Sequence, residues 1–340
     1  MNMDNDLLTD AAGHLLAQEC TAEIVRDIEG GNHDRARALW GHIEDAGFAD
    51  ALVAEEHGGA GLGLAQVAGM LSRCGAHAFP LPLADTLIGR ALLARAGHTR
   101  QSGTLALARG RLLDDGSVHA VLHGGRVADS ALIQVDEAWH VLPLPSSERQ
   151  AHAFILDCAA RWGVGQVNDA GRLRLSLPDG LDLHVLRAPL LAAQMSGAMG
   201  AVLERTLEYA NDRQQFGRPI GKFQAVQHQL AVMSEHVFAA RMAAQLGCVS
   251  PTPFPTRLQA AIAKARCNEA ARAAIETAHA VHGAIGITDE LDLHLLTRRL
   301  QAWRQSAGSE SYWHTVAGEA LLAHPGLTLD LLRSLPGTVH

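Results

Sequence analysis

The sequence predicts a mainly helical protein with a small β domain in its middle, and three observations carry that expectation. Apolar residues recur at three- and four-residue steps from Asp6 to about Gly97. Short apolar runs separated by Gly- and Pro-containing turns then occupy residues 103–186. Long helical stripes return after Leu186 and dominate the remainder. We therefore expect an N-terminal helical domain over 1–102, a shortened β sheet or barrel over 103–186, and a C-terminal four-helix bundle over 187–340.

In the first segment, "LLTDAAGHLLAQE" and "ADTLIGRALLARAG" read as amphipathic helices, the second stopped at Gly97. Between them, "AEEHGGAGLGLAQVAGML" concentrates Gly58, Gly59, Gly61 and Gly63. A dinucleotide-binding loop needs a strand before its glycines and a βαβ unit around them, and neither is present. A flexible turn leading into a helix is the expectation.

The β segment rests on "TLALARG", "VHAVLHGG", "SALIQV", "AWHVLPL", "AFILD" and "LRLSL", which predict a small antiparallel sheet or barrel. Beyond it, Met195, Met199, Val202, Thr206 and Tyr209 share one helix face, and Phe223, Val226, Leu230, Met233, Val237, Ala240 and Ala244 share another. A break at "SPTPFP" precedes a helix from Arg257 to about Ala280, and "GAIG" precedes a fourth. Short connections between long helices predict an up-and-down bundle.

Composition narrows the function classes. The formal net charge of −8 argues against a polyanionic partner such as nucleic acid. The five cysteines stand far apart with no C-x-x-C pair, so buried free thiols are expected in place of a zinc site or disulfides. Among the 19 histidines, His279 and His282 come nearest to a ligand spacing, without an H-E-x-x-H pattern, and no metal is expected. No window approaches the roughly 20 apolar residues of a membrane span. The acidic start "MNMDNDLLTDAAG" does not resemble a secretory signal, so a cytoplasmic protein is expected.

One stretch stands apart. In "NDRQQFGRPIGKFQAVQHQ", Arg213 closes one helical pattern, Phe216 and Gly217 make a turn, and Pro219 extends the chain before Phe223 opens the next. Residue by residue, an Arg at a helix C-terminus, a Gly cap and a Phe stapling two helices would account for it. As a whole, "RQQFGRPIGKFQAVQH" is similar to the R-x-Q-F-G-x-P-I-x-x-F-Q-x-V-Q-H stretch of the acyl-CoA dehydrogenase family. "LVAEEHGGAGLGL" and "VHGAIGITDELDLHLLTRR" extend the resemblance over most of the chain in the family's order.

The resemblance implies a helical domain, a central β domain and a helical bundle, with FAD bound across a subunit boundary and an acyl-CoA thioester as substrate. Arg213 would meet the pyrophosphate, Phe216 would pack on the cofactor, and Gln215 and Gln224 belong to the same cofactor-binding stretch. The family's Q-x-x-G-G-x-G element maps onto residues 280–286, where Gly283 and Gly286 would admit the cofactor of a neighbouring subunit.

The departures concern the chemistry. Dehydrogenation in this family needs a carboxylate that takes the α-proton while hydride leaves for the flavin. Its usual position, before a Gly, is here Ala307 in "SAGSES"; the alternative position, counted back from Arg213, is about Arg187. Glu310 is the nearby substitute to consider, its other role being a helix-start carboxylate. The T-E-P-x-x-G-S-D type segment that wraps the flavin ring is absent, and the Gln and second Gly of the later element are Ala280 and Ala284. No catalytic residue is therefore assigned. Three functions follow: a subunit of a heteromeric acyl-CoA dehydrogenase whose partner supplies the base, a self-sufficient homodimer with a displaced base, or a binding or scaffolding homologue without redox activity.

Overall fold

The computed structural model describes residues 3–175, 177, 181–250, 252 and 254–335, with no account of the side chains of residues 3–6. Pro251 and Pro253 of the expected helix break, Ser176 of the sixth apolar run, and the outermost residues of the first and last expected domains lie outside them. In chain order the helices before the sheet are α1 (Met3–Glu19), α2 (Ala22–Glu29), α3 (His33–Asp45), α4 (Leu64–Ala76) and α5 (Leu83–Arg95). The strands follow as β1 (Leu105–Leu112), β2 (Val118–Leu122), β3 (Ser130–Val135), β4 (Ala138–Pro143), β5 (Glu148–Ala151) and β6 (Cys158–Trp162). After them come α6 (Val164–Ala170), α7 (Leu183–Asp212), the two-residue strands β7 (Gln214–Gln215) and β8 (Arg218–Pro219), then α8 (Gln224–Cys248) and α9 (Arg257–His282). The chain closes with α10 (Leu293–Gln305), α11 (Glu310–Ala323) and α12 (Thr328–Arg333). The fold is mainly α with a small central sheet.

These elements form two compact units. One comprises residues 18–63 and 80–183, and the other residues 1–17, 64–79 and 184–340. In the first, the strand order is β4-β3-β1-β2-β6-β5. Every pairing is antiparallel except β1 with β3, which run parallel from Leu105 opposite Ser130 to Arg109 opposite Gln134. Its core is built from alternating residues such as Ala106, Val118, Ile133, Leu142 and Trp162, all buried.

Four of the six expected strands form where the apolar runs stand. "AFILD" is instead a bend and turn, and "LRLSL" contributes one bridge, Leu173 to Trp139. The strand β5 was not expected because all four of its residues are exposed, so an edge strand without a buried face leaves no alternation to read.

The Gly58–Gly63 segment is a turn whose amides are spent internally. The Gly58, Gly59, Ala60, Gly61 and Leu62 N–H groups donate to carbonyls of residues 50–55. Those donors are unavailable to a phosphate.

In the other unit, α8 and α9 pack through small side chains. Ala240, Ala244 and Gly247 meet a buried row that includes Ala260, Ala263 and Cys267. Helices α4 and α7 approach so closely that a Cβ at Gly75 would lie 1.8 Å from the Gln194 carbonyl oxygen, and one at Gly197 would lie 1.8 Å from that of Ser72. Only glycine fits there. All five cysteines are buried and free. No helix among the described residues is long and apolar enough to cross a membrane.

Candidate functional site

The sequence stretch that first stood out folds into a miniature hairpin between α7 and α8. Gln214 pairs with Pro219 and Gln215 with Arg218, leaving Phe216 (φ 53°) and Gly217 (φ 81°) as the two-residue loop. Both loop residues are left-handed, as a type I′ turn requires. Gly217 is thus the second residue of a hairpin turn and not a helix cap. Phe216 does not staple two helices: it is 90% exposed and meets the Phe223 ring edge-on at 6.1 Å. The Arg218 guanidinium lies over the Phe223 ring, 4.3 Å from its centroid.

Arg213 sits where α7 passes into the hairpin. Its N–H donates to the Tyr209 carbonyl (2.9 Å) and its carbonyl accepts from the Ile220 N–H (2.8 Å), so its backbone is fixed at both ends. Its side chain is exposed and, among the described residues, has no hydrogen-bond or ion-pair partner. Gln215 and Gln224 are exposed as well. The following helix, 25 residues long, begins at Gln224 without a side-chain cap, which leaves its N-terminal amides open to an acceptor.

Gly283 belongs to the same corner. Tyr209, one helical turn before Arg213, stacks on His282 with ring centroids 4.3 Å apart and donates its hydroxyl to the His282 carbonyl (3.4 Å). Gly283 follows, at φ 63°, exposed, with nothing within 4 Å of the position a Cβ would take. Gly286 has a different reason to be glycine. It is buried, and a Cβ there would lie 2.9 Å from the His282 Cβ and 3.4 Å from His279 Nδ1. Its open space is filled by its own chain, so of the two glycines Gly283 alone presents backbone outward. Burial lowers the pKa of His279 and His282, and both rings are therefore neutral at pH 7.

The positions expected to carry a catalytic base lie elsewhere in this unit, around one buried lysine. Ala307 is 2% exposed and left-handed (φ 52°), followed by Gly308 at φ 99°. The Ala307 carbonyl accepts from the Trp313 indole N–H at 2.8 Å. The Gly308 carbonyl accepts from Lys264 Nζ at 3.4 Å and from Asn268 Nδ2 at 3.3 Å. Sequence reasoning passed over Lys264, although it is one of only two lysines and stands in an alanine-rich helical run.

Glu310, the substitute base, is engaged. Its carboxylate accepts from Arg304 Nε at 2.8 Å and pairs with Arg304 Nη2. Burial pushes its pKa up, but the Arg304 hydrogen bond and the charges of Arg304 and Lys264 outweigh burial and hold it below the ordinary carboxylate value. A general base for an α-proton needs the opposite shift. Arg187 is buried, and with Arg304 it opposes the charge of Lys264. The expected base region therefore holds two guanidiniums, a buried lysine and one carboxylate that is ion-paired to Arg304.

Comparison with known proteins agrees with this architecture. Residues 183–322 match the family described as acyl-CoA dehydrogenase, C-terminal domain. The acyl-CoA dehydrogenase IpdE2 of Mycobacterium tuberculosis is 28% identical over 301 residues, covering 87% of this chain and 90% of that protein. In fold, the chain resembles the crystal structure of the ChsE4-ChsE5 complex from Mycobacterium tuberculosis, with TM-score 0.81 and 22% identity over 96% of this chain and 99% of that one. It also resembles butyryl-CoA dehydrogenase from Megasphaera elsdenii, with TM-score 0.70 and 16% identity over 95% and 99% of the respective chains. With N-terminal helices, a small central sheet and a C-terminal helical segment carrying the hairpin between α7 and α8, in that order, the chain has an acyl-CoA dehydrogenase fold, and its residues 183–322 match that family's C-terminal domain.

Proposed function

We propose that this chain is a subunit of an FAD-dependent acyl-CoA dehydrogenase that offers a cofactor-binding corner to a neighbouring subunit and relies on that partner for the catalytic base. The observation that carries this reading is the contrast between the two regions. One has an unpaired, exposed guanidinium, an uncapped helix start and an open glycine. The other lacks a basic carboxylate.

The residues present fit the diphosphate end of FAD. A free guanidinium offers paired donors to phosphate oxygens, and the open N-terminal turn of α8 favours negative charge. Phe216, exposed at the hairpin tip, offers an apolar surface for a flat cofactor to cover, and Gly283 lets it approach the backbone. FAD so held would supply the hydride acceptor for α,β-dehydrogenation of an acyl-CoA. This chain's residues would bind and orient it: Arg213 and Gln224 through polar contacts, Phe216 through packing. The proton would be removed by a partner's carboxylate, since Ala307 and Arg187 have none and Glu310 is tied to Arg304.

The assembly is supported by the outward face of α8, where Val232, Phe238 and Met242 are 40%, 59% and 66% exposed. The ChsE4-ChsE5 structure is itself a complex of two proteins. Co-expression with a second acyl-CoA dehydrogenase subunit tests the proposal. FAD and turnover should appear in the co-purified complex, while the chain alone should be colourless and inactive. A yellow, active protein purified alone would overturn the proposal in favour of a self-sufficient homodimer.

A further inference from the structure

We propose that Lys264 is the positioning residue of the Ser306–Gly308 turn, holding it while its ammonium carries three protons and releasing it when one is lost. Lys264 is wholly buried in α9, as is Asn268 one turn later. Four oxygens surround its Nζ: Asn268 Oδ1 at 2.6 Å and the carbonyls of Trp303 at 2.9 Å, Gly308 at 3.4 Å and Arg304 at 3.5 Å. Two of these carbonyls end α10 and one belongs to the turn that leads into α11. A single cation thus ties three helices together at the C-terminal end of α10, where the helix dipole favours it.

The geometry depends on charge. An ammonium serves four acceptors with three protons because its charge attracts all of them. A neutral amine has two donors and a lone pair, and the lone pair is repelled by whichever oxygen it faces. The two most distant acceptors, the Gly308 and Arg304 carbonyls, are the first to be given up. The turn is also under conformational tension, since Ala307 has a side chain in the left-handed region, where non-glycine residues are disfavoured. Without the cation, the bonds resisting its relaxation include Asn268 Nδ2 on Gly308, Trp313 Nε1 on Ala307 and those that the Ser306 N–H and hydroxyl donate to the end of α10.

The groups facing Lys264 place this change near neutrality. Burial is the largest cause lowering its pKa, the Glu310 carboxylate of α11 raises it, the guanidiniums of Arg187 on α7 and Arg304 on α10 lower it, and the net value is about 7. Cys267 has its own pKa pushed up to about 12 by burial, so it stays a neutral thiol through this range. The acid–base state of the turn is thereby set by Lys264. That the turn faces acyl-CoA chemistry rests on the proposed function; the clamp does not.

The test needs neither FAD nor substrate, so its failure is distinct from failure of that proposal. In the full chain labelled with ¹⁵N at the indoles, the Trp313 Nε1–H resonance, identified through Trp313→Phe, is followed from about pH 6 to about pH 9. It should shift with a midpoint near 7, and amide exchange at residues 306–309, corrected for its intrinsic pH dependence, should accelerate about tenfold across the same range. Lys264→Met should abolish the transition. Asn268→Asp, which keeps the lysine and places a carboxylate on it, should move the midpoint up by about one unit or more. A Trp313 resonance that stays flat in the wild type, or a midpoint that Asn268→Asp leaves unmoved, overturns the proposal.

Discussion

At the residue scale, Arg213 and Lys264 show opposite uses of a cation. Arg213 is exposed and unpaired, so replacing it leaves the bundle intact while removing a charge-assisted contact of about 1.5–3 kcal/mol to a phosphate. Arg213→Ala should lower FAD occupancy of the assembled protein about tenfold or more, with an unchanged melting curve for the apo chain; equal FAD content at limiting cofactor would remove Arg213 from the site. Lys264 is buried, and its folded-state pKa of about 7 lies below its ordinary 10.5. Between those values the unfolded chain binds the proton that the native protein has released, so stability rises with pH from about 7 to about 10. Below about 7 both states are charged, and the full cost of charging the buried amine is carried. Lys264→Met should remove this contribution, flattening the stability profile by up to about 1.4 kcal/mol per pH unit in that window. Urea unfolding at several pH values measures it, and parallel profiles for the two proteins would contradict the buried-amine assignment.

At the element scale, the hairpin between α7 and α8 trades conformational ease for surface. A type I′ loop favours Asn and Gly, yet its first position holds Phe216 at φ 53°. Because the side chain is 90% exposed, little packing offsets that conformation. Phe216→Asn should raise apo-protein stability by up to about 1 kcal/mol while weakening FAD binding in the assembled protein. Thermal melts and cofactor titration read the two effects separately. A loss of stability would show that Phe216 is held by contacts within its own chain. The motif's existence was legible from the sequence, but its hairpin was not. Helix-capping rules apply equally to "RQQFGRP", and two-residue strands leave no alternation to read. Edge strand β5 was illegible for a related reason, having no buried face.

At the scale of the whole molecule, the proposed lack of a base and the proposed cofactor corner bear on the same question. The partner-free chain should show little or no acyl-CoA dehydrogenation, since loss of a general base typically costs a factor of about 10² to 10⁴. Ala307→Glu in the assembled protein separates the explanations. If the reacting carbon lies beside this turn, the new carboxylate should raise turnover; if the reaction proceeds only on the partner, turnover should not change. The substitution also puts a carboxylate in a 2%-exposed position near Lys264, so folding must be checked by circular dichroism in parallel. Vigorous turnover by the unmodified chain alone would instead turn attention to Glu310, whose replacement by Gln would then abolish it.

The sequence by itself determined the helical segments, the place of the small sheet, the family resemblance, and the absence of a carboxylate at Ala307 and Arg187. Each of these is local: a periodicity, a run between turns, or the identity of one residue. Tertiary structure alone decided what surrounds each side chain. It filled the space at Gly286 and left that at Gly283 open, because only the first lies against His279, His282 and Leu293. It also tied Glu310 to Arg304 and gathered four oxygens around Lys264. Lys264 and Gly308 are far apart in the chain, and the electrostatic environment of a buried group is set by neighbours that sequence spacing does not disclose.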